Sequence, residues 1–254
     1  MRKNQAKEKL LGGGTIYGVF CNLYSPMIVE LTGHIGFDFV LVDAEHGSAG
    51  VESCEHMVRA ADSVGVPLFI RIAMNVRQNI LRYLDIGSQG VQLPMINTQE
   101  EAEAVVQAVK YPPQGRRGLA AIRAADYGLK MPLGEYTILA NQELLTVVQI
   151  ETVEAMKNLK EILTVDDIDV FFIGPTDLST SMGHTAQVNH PEVQAAIDDL
   201  VNQIRASGKV AGTIAYTDEA LNIAKERGFQ YIVHGVVPMM VKSGREYLEL
   251  ARSS

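Results

Sequence analysis

Four apolar runs of this chain end in residues equipped for chemistry. After Phe39-Val40-Leu41-Val42 come Asp43, Glu45 and His46, and after Leu68-Phe69-Ile70 comes Arg71. After Val147-Val148 come Gln149 and Glu151, and after Phe171-Phe172-Ile173-Gly174-Pro175 comes Asp177. An acid in such a place commonly caps the next helix, but four such ends together point to one shared site. Glu151 is the most informative, because a carboxylate closing the apolar stretch Leu145 to Ile150 carries a heavy desolvation cost unless a cation offsets it. If Asp177 converges on the same cation, two oxygen ligands with open positions suit Mg²⁺ or Mn²⁺, with Co²⁺ a further candidate. Zinc would ask for nitrogen or sulfur. Asp177 could equally cap a helix beginning at Leu178.

Arg71 has no evident acid partner nearby in sequence. Its fork of donors therefore suits a substrate carboxylate or a developing enolate, with a structural ion pair as the alternative. His46 lies on a loop beside Gly47, where an imidazole can act as acid and base near neutrality. Asp85 sits in the last turn of a predicted helix, where the dipole disfavours negative charge. Something must hold it there, and one candidate is a hydrogen bond that orients His46 as an Asp–His dyad. His34, His56, His184 and His190 are expected to be structural, while His234 ends the last strand and retains a chance of facing the site.

The elements that must position these residues are legible in the same pattern. Short runs rich in Val, Ile and Phe alternate with helix-period stretches, as parallel strands and crossover helices do. Eight strands are expected, beginning near Ile16, Asp38, Pro67, Gly90, Leu145, Asp169, Lys209 and Gln230. Helical periodicity marks 51–64, 76–86, 98–110, 153–163, 191–206, 217–227 and 238–251, with insertions at 111–144 and around 176–190. Eight βα units in 254 residues predict one TIM-type (β/α)8 barrel, whose chemistry sits at the C-terminal ends of its strands. A dinucleotide-binding open sheet would need a Gly-rich turn after the first strand. The sequence there reads Cys21-Asn22-Leu23-Tyr24-Ser25-Pro26.

Composition excludes several classes. A formal charge of −8 argues against a nucleic-acid partner or an anionic membrane surface. Two cysteines without metal-ligand spacing fit a reducing cytoplasm rather than a disulfide scaffold. No apolar run reaches the roughly 18 residues of a membrane span. Every lysine falls in a helical segment, the insertion, a strand start or the N-terminal stretch, so a Schiff-base mechanism lacks its nucleophile. Enolate stabilisation would then fall to a metal.

Four runs carry a family resemblance: Gly36-Phe37-Asp38-Phe39-Val40-Leu41-Val42-Asp43-Ala44-Glu45-His46-Gly47, Lys110-Tyr111-Pro112-Pro113-Gln114-Gly115-Arg116-Arg117-Gly118, Gln149-Ile150-Glu151-Thr152 and Phe172-Ile173-Gly174-Pro175-Thr176-Asp177-Leu178-Ser179. In this order they resemble the metal-dependent class II pyruvate aldolases, the HpcH/HpaI aldolase family, which act on compounds such as 4-hydroxy-2-oxoheptanedioate, 2-keto-3-deoxy-L-rhamnonate and 2-dehydro-3-deoxyglucarate. The resemblance implies a barrel of the phosphoenolpyruvate/pyruvate-binding superfamily that reversibly splits a 4-hydroxy-2-oxo acid into pyruvate and an aldehyde. It implies Glu151 and Asp177 as metal ligands, Arg71 on the enolate, and His46 with Asp85 as a proton-transfer dyad. Asp43 and Glu45 match acids near metal-bound waters. Gln149, Gly174, Pro175 and Thr176 match the lining of the pyruvate pocket. A homo-oligomer, typically a hexamer, is implied as well. The chain departs from the pattern at Met74, in a turn usually richer in Asn and Asp, and at Val237, where a Gly-x-Asp is common. A citramalyl- or malyl-CoA lyase of the same superfamily and a non-catalytic metabolite-binding barrel are the rival readings.

Overall fold

The computed structural model describes residues 1–253, and eight parallel strands close into a barrel in the order β1 to β8. The strands are β1 (Ile16–Cys21), β2 (Phe39–Ala44), β3 (Leu68–Ile72), β4 (Gly90–Leu93), β5 (Leu145–Ile150), β6 (Val170–Ile173), β7 (Val210–Ile214) and β8 (Tyr231–Gly235). Each begins within one residue of its predicted start. The helices are α1 (Gln5–Leu11), α2 (Pro26–Ile35), α3 (Val51–Val64), α4 (Arg77–Asp85), α5 (Gln99–Val109), α6 (Leu133–Glu143), α7 (Val153–Lys157), α8 (Leu159–Ile162), α9 (Pro175–Ser181), α10 (Pro191–Ala206), α11 (Asp218–Arg227) and α12 (Val236–Arg252).

Two differences from the periodicity have local causes. The stretch 153–163 is two helices, because the backbone at Asn158 (φ −96°, ψ 6°) leaves the helical region. The Asn158 side-chain amide donates to the Asn97 carbonyl at 2.8 Å. The insertion at 111–144 carries a short 3₁₀ segment, Arg123–Gly128, and then α6.

Side chains inside the barrel form their own layered core, as a closed eight-stranded sheet requires. Phe39 stacks between Phe69 (centroids 5.0 Å) and Tyr231 (4.6 Å), and Phe172 meets Tyr231 edge-on at 6.1 Å. Gly18 makes room for this stack, since a Cβ there would lie 2.2 Å from the Phe39 ring. At the N-terminal end of the barrel, α1 inserts Ala6 and Leu10 into the same core. Asn4 and Lys7 tie it to the strand starts, donating to the carbonyls of Gln89 and Leu144. The opposite end, where the strands finish, is left to the loops. Among the described residues, no helix is long and apolar enough to cross a membrane.

Candidate active site

Parallel pairing of β2 with β3 sets Asp43 directly opposite Arg71. Arg71 Nε donates to Asp43 Oδ1 at 2.9 Å and Nη2 donates to Oδ2 at 2.7 Å, a bidentate fork with fixed geometry. Arg71 Nη1 lies 3.2 Å from Glu45 Oε2, and the guanidinium carbon sits 4.5 Å from the Phe20 ring centroid. Arg71 therefore does have acid partners. They come from the neighbouring strand, 26 and 28 residues away, which is why local sequence did not disclose them. Asp43 Oδ1 also accepts the backbone N–H groups of Glu45 and His46, and so shapes the loop it begins. The Tyr24 hydroxyl donates to the Asp43 carbonyl at 2.9 Å. Gly47 permits that approach, because a Cβ there would strike the tyrosine oxygen.

Glu151 follows β5 and is 2% exposed. Its Oε1 accepts the Met95 N–H at 2.8 Å, and its Oε2 accepts from Gln149 Nε2 at 2.6 Å. Gln149 Oε1 in turn accepts from Gln92 Nε2 at 2.6 Å, and Gln92 Oε1 accepts the Tyr231 hydroxyl at 3.2 Å. A chain of buried hydrogen bonds thus crosses the barrel and fixes the carboxylate from behind. Burial pushes the Glu151 carboxyl up to about 7 against its two hydrogen bonds, and the nearby negative charges of Asp177 and Glu45 act in the same direction. Burial likewise raises Glu45, with Arg71 opposing it. Asp177 stands in the first turn of α9, whose cap is Gly174 and whose first residue is Pro175, so it is not the helix cap.

One cavity of about 280 Å³ at the C-terminal end of the strands is lined by Asp43, His46, Arg71, Gln149, Glu151 and Asp177, together with Gly174, Pro175 and Thr176. Glu45 joins through its ion pair with Arg71. His46 is exposed at the rim, with Nε2 4.0 Å from Glu45 Oε2. Asp85 is the exception. It ends α4, and a helix that returns between parallel strands finishes at the opposite end of the barrel from the mouth. There Asp85 Oδ1 accepts from Arg117 Nη2 at 3.0 Å. The expected hydrogen bond to His46 is therefore not formed within one chain, and the charge at the helix terminus is held by a buried arginine instead.

His234 lies outside the cavity lining, with Nδ1 accepting the Gly235 N–H at 2.8 Å and its ring edge-on to Tyr216. Of the β8 turn, Gly235 and Pro238 line the cavity rather than Val237, and Met74 is exposed elsewhere. His184 and His190 stack on the loop after α9, with His184 Nε2 2.9 Å from Glu192 Oε2.

Three supporting residues escaped the sequence reading. Gln92, fully buried in β4, was signalled by a polar residue inside an apolar strand. Met95 holds its backbone at φ 56°, a rare conformation for a side chain, which aims its N–H at Glu151. Nothing in its residue type announces that. Tyr216 lines the mouth after β7.

The donor set fits a divalent cation. Four carboxylates, from Asp43, Glu45, Glu151 and Asp177, gather at a cavity where Arg71, paired with the first two, is the one permanent positive charge among the lining residues. Glu45 Oε2 is buried without a hydrogen bond. The two acids that Arg71 leaves free, Glu151 and Asp177, offer only oxygen, the preference of hard cations.

Comparison with known proteins identifies the family. The profile described as HpcH/HpaI aldolase/citrate lyase matches residues 16–238. A 4-hydroxy-2-oxo-heptane-1,7-dioate aldolase of Klebsiella pneumoniae is 37% identical over 246 residues, covering 96% of this chain and 92% of that protein. A pyruvate aldolase of Rhizobium etli is 37% identical over 246 residues, covering 96% of both. The crystal structure of an HpcH/HpaI aldolase/citrate lyase family protein from Burkholderia cenocepacia superposes with a TM-score of 0.94 at 26% identity, covering 98% of this chain and all of that one. With barrel, strand-end acids and near-complete alignment in agreement, the chain belongs to the HpcH/HpaI aldolase/citrate lyase family.

Proposed function

We propose that this protein is a carbon–carbon lyase of the pyruvate aldolase type, reversibly cleaving a 4-hydroxy-2-oxo acid to pyruvate and an aldehyde. The observation that carries the reading is the buried Glu151 carboxylate, held rigidly beside Asp177 and the Arg71 fork in one cavity. Glu151 and Asp177 would hold Mg²⁺ or Mn²⁺, which when bound supplies Lewis-acid polarisation of the keto oxygen. Arg71 has five N–H donors. Two are donated to Asp43 and the guanidinium also pairs in charge with Glu45, and the remaining N–H groups are available to the oxygens of the pyruvate moiety as negative charge develops. Gln149 and the backbone from Gly174 to Thr176 line that moiety's pocket. His46, at the rim, is placed to take the proton from the C4 hydroxyl during cleavage and to return it during condensation. Asp43 keeps Arg71 in position and holds the His46 loop through its backbone bonds.

A homo-oligomer is part of this proposal. It is supported by the exposed apolar residues Met240, Tyr247, Leu248 and Leu250 on α12.

The test is exchange of pyruvate methyl protons with deuterated water, followed by NMR with Mg²⁺ or Mn²⁺ and then with chelator. Exchange that requires the metal and disappears in Glu151→Ala is expected. Exchange that persists in chelator would refute the proposed metal role, and its absence with every divalent ion would favour a binding protein.

A further inference from the structure

His46 rides on a loop with almost no hydrogen bonds of its own. The segment 45–49 follows β2 and leads to α3, and among the described residues 46–49 make no backbone–backbone hydrogen bond. The Gly50 cap of α3 adds no side-chain bond. At its start the loop is fixed by Asp43, whose Oδ1 accepts the N–H groups of Glu45 at 3.1 Å and His46 at 3.2 Å. Beyond His46 the anchor comes from a different strand end.

That anchor is Tyr24, in the turn after β1. Its ring packs against the core, and its hydroxyl donates to the Asp43 carbonyl at 2.9 Å. The backbone N–H groups of Ala49 and Ser48 face the same oxygen from the far end of the loop. A phenol hydroxyl has one proton to give and lone pairs to receive, so a single atom serves both ends of the segment. Gly47 lies against it: a Cβ there would stand 1.8 Å from the hydroxyl oxygen and 3.0 Å from the ring carbon that bears it. The loop is wrapped around this one oxygen, with a glycine at the point of closest approach. Tyr24 does not line the cavity, so any effect it has on the chemistry passes through the loop.

From this contact we infer that Tyr24 is a positioning residue, whose hydroxyl clasps the β2–α3 loop closed and so fixes His46 at the rim of the cavity. The role rests on the pyruvate aldolase reading, in which His46 moves the C4-hydroxyl proton, and adds to it the group that sets the histidine's place. The His46 ring is exposed, and its nearest charged partner is Glu45 at 4.0 Å, so its position is inherited from the backbone beneath it. A misplacement of about 1 Å at such a group costs on the order of 10²-fold in rate. Glu151 is held by Met95 and Gln149, and Arg71 by its fork on Asp43, so neither depends on the clasp. The loss should therefore fall on the step that uses His46 and spare enolate formation.

Tyr24→Phe keeps the ring and removes the clasp. In the full-length, Mg²⁺- or Mn²⁺-loaded variant, kcat for cleavage of 4-hydroxy-2-oxopentanoate should fall by about ten- to a hundredfold, with KM within about threefold of the unaltered protein. Pyruvate methyl proton exchange should stay within about twofold. Amide hydrogen exchange at Ser48 and Ala49 should quicken by about tenfold, as local opening of the loop becomes easier. Gly47→Ala disturbs the same contact from the loop side, and carries the comparison if Tyr24→Phe fails to fold. It should slow cleavage when Tyr24 is present and cost little more when added to Tyr24→Phe, because the oxygen that its Cβ strikes is gone; independent sites would add instead. Unchanged kcat in Tyr24→Phe, or an equal loss of cleavage and pyruvate exchange, overturns the positioning role. Additive losses, or unchanged Ser48 and Ala49 amide rates in Tyr24→Phe, overturn the clasp whatever the aldehyde. Absence of pyruvate exchange in the unaltered protein refutes the aldolase reading and Tyr24's part in the reaction with it, while the amide rates still report on the clasp by itself.

Discussion

Replacing Glu151 by Gln tests the electrostatic argument directly, through stability rather than turnover. In the metal-free protein the Glu151 carboxyl rises from its ordinary 4.5 to about 7. Because the folded value lies above the unfolded one, the contribution to stability is present at low pH and is lost as pH rises through about 7. At about 1.4 kcal/mol per pH unit between the two values, the loss is roughly 3 kcal/mol by pH 8, most of it between about pH 5 and pH 8. For a chain of this size that corresponds to a fall in melting temperature of roughly 5 to 10 °C. Glu45 is raised in the same direction, so a shallower slope should survive in the variant. The assay is thermal unfolding of chelator-treated protein and Glu151→Gln across this pH range, followed by repetition in excess Mg²⁺. Saturating metal selects the ionised carboxylate and should flatten or reverse the slope of the unaltered protein only. Absolute stabilities are less informative, because Gln can accept only one of the two hydrogen bonds that Glu151 receives. If metal-free Glu151→Gln keeps the full slope, Glu151 is not the strained carboxylate and the reasoning fails.

Arg71→Lys loses the fork on Asp43 and should lower the rate of pyruvate proton exchange by about 10²- to 10³-fold, the usual cost of one preorganised oxyanion donor. A near-normal rate would exclude the planar guanidinium from the chemistry. Gln92→Leu leaves the Tyr231 hydroxyl and the Gln149 amide oxygen without their partners, at a cost of about 1 to 3 kcal/mol in a denaturant melt. It should also weaken metal binding by about tenfold in a titration; unchanged affinity would show that the buried chain does not orient Glu151. Asp85→Asn strips the charge partner from the buried Arg117, and unfolding should become easier by about 3 kcal/mol. A neutral effect would mean that this ion pair does not anchor the segment at 111–144.

The strands were legible to within a residue because a closed parallel sheet buries both faces, so each strand reads as an unbroken apolar run that ends where the chain becomes polar. The same boundary exposed Asp43, Glu45, His46, Arg71, Glu151 and Asp177, since an acid or base at the end of a buried strand is costly without a purpose. Partnership was not legible in this way. Arg71 looked unpaired because its acids lie on the adjacent strand, and only the register Asp43 to Arg71 brings them together. Asp85 looked suited to His46 by residue type, but a crossover helix ends away from the strand ends, and nothing local in the sequence names the Arg117 that meets it there. Met95 gave no signal at all, because its contribution is a backbone N–H aimed by an unusual φ.

The sequence by itself determined the repeating βα order, the excess of acids and the identity of the groups able to do chemistry, because hydrophobic period and residue type are local properties. Tertiary structure decided which of those groups meet. Closing the sheet turned separate strand ends into one cavity, buried Glu151 until its carboxyl rose to about 7, and sent Asp85 to Arg117. Burial and pairing depend on distances between segments far apart in the chain, and those distances exist only once the barrel has closed.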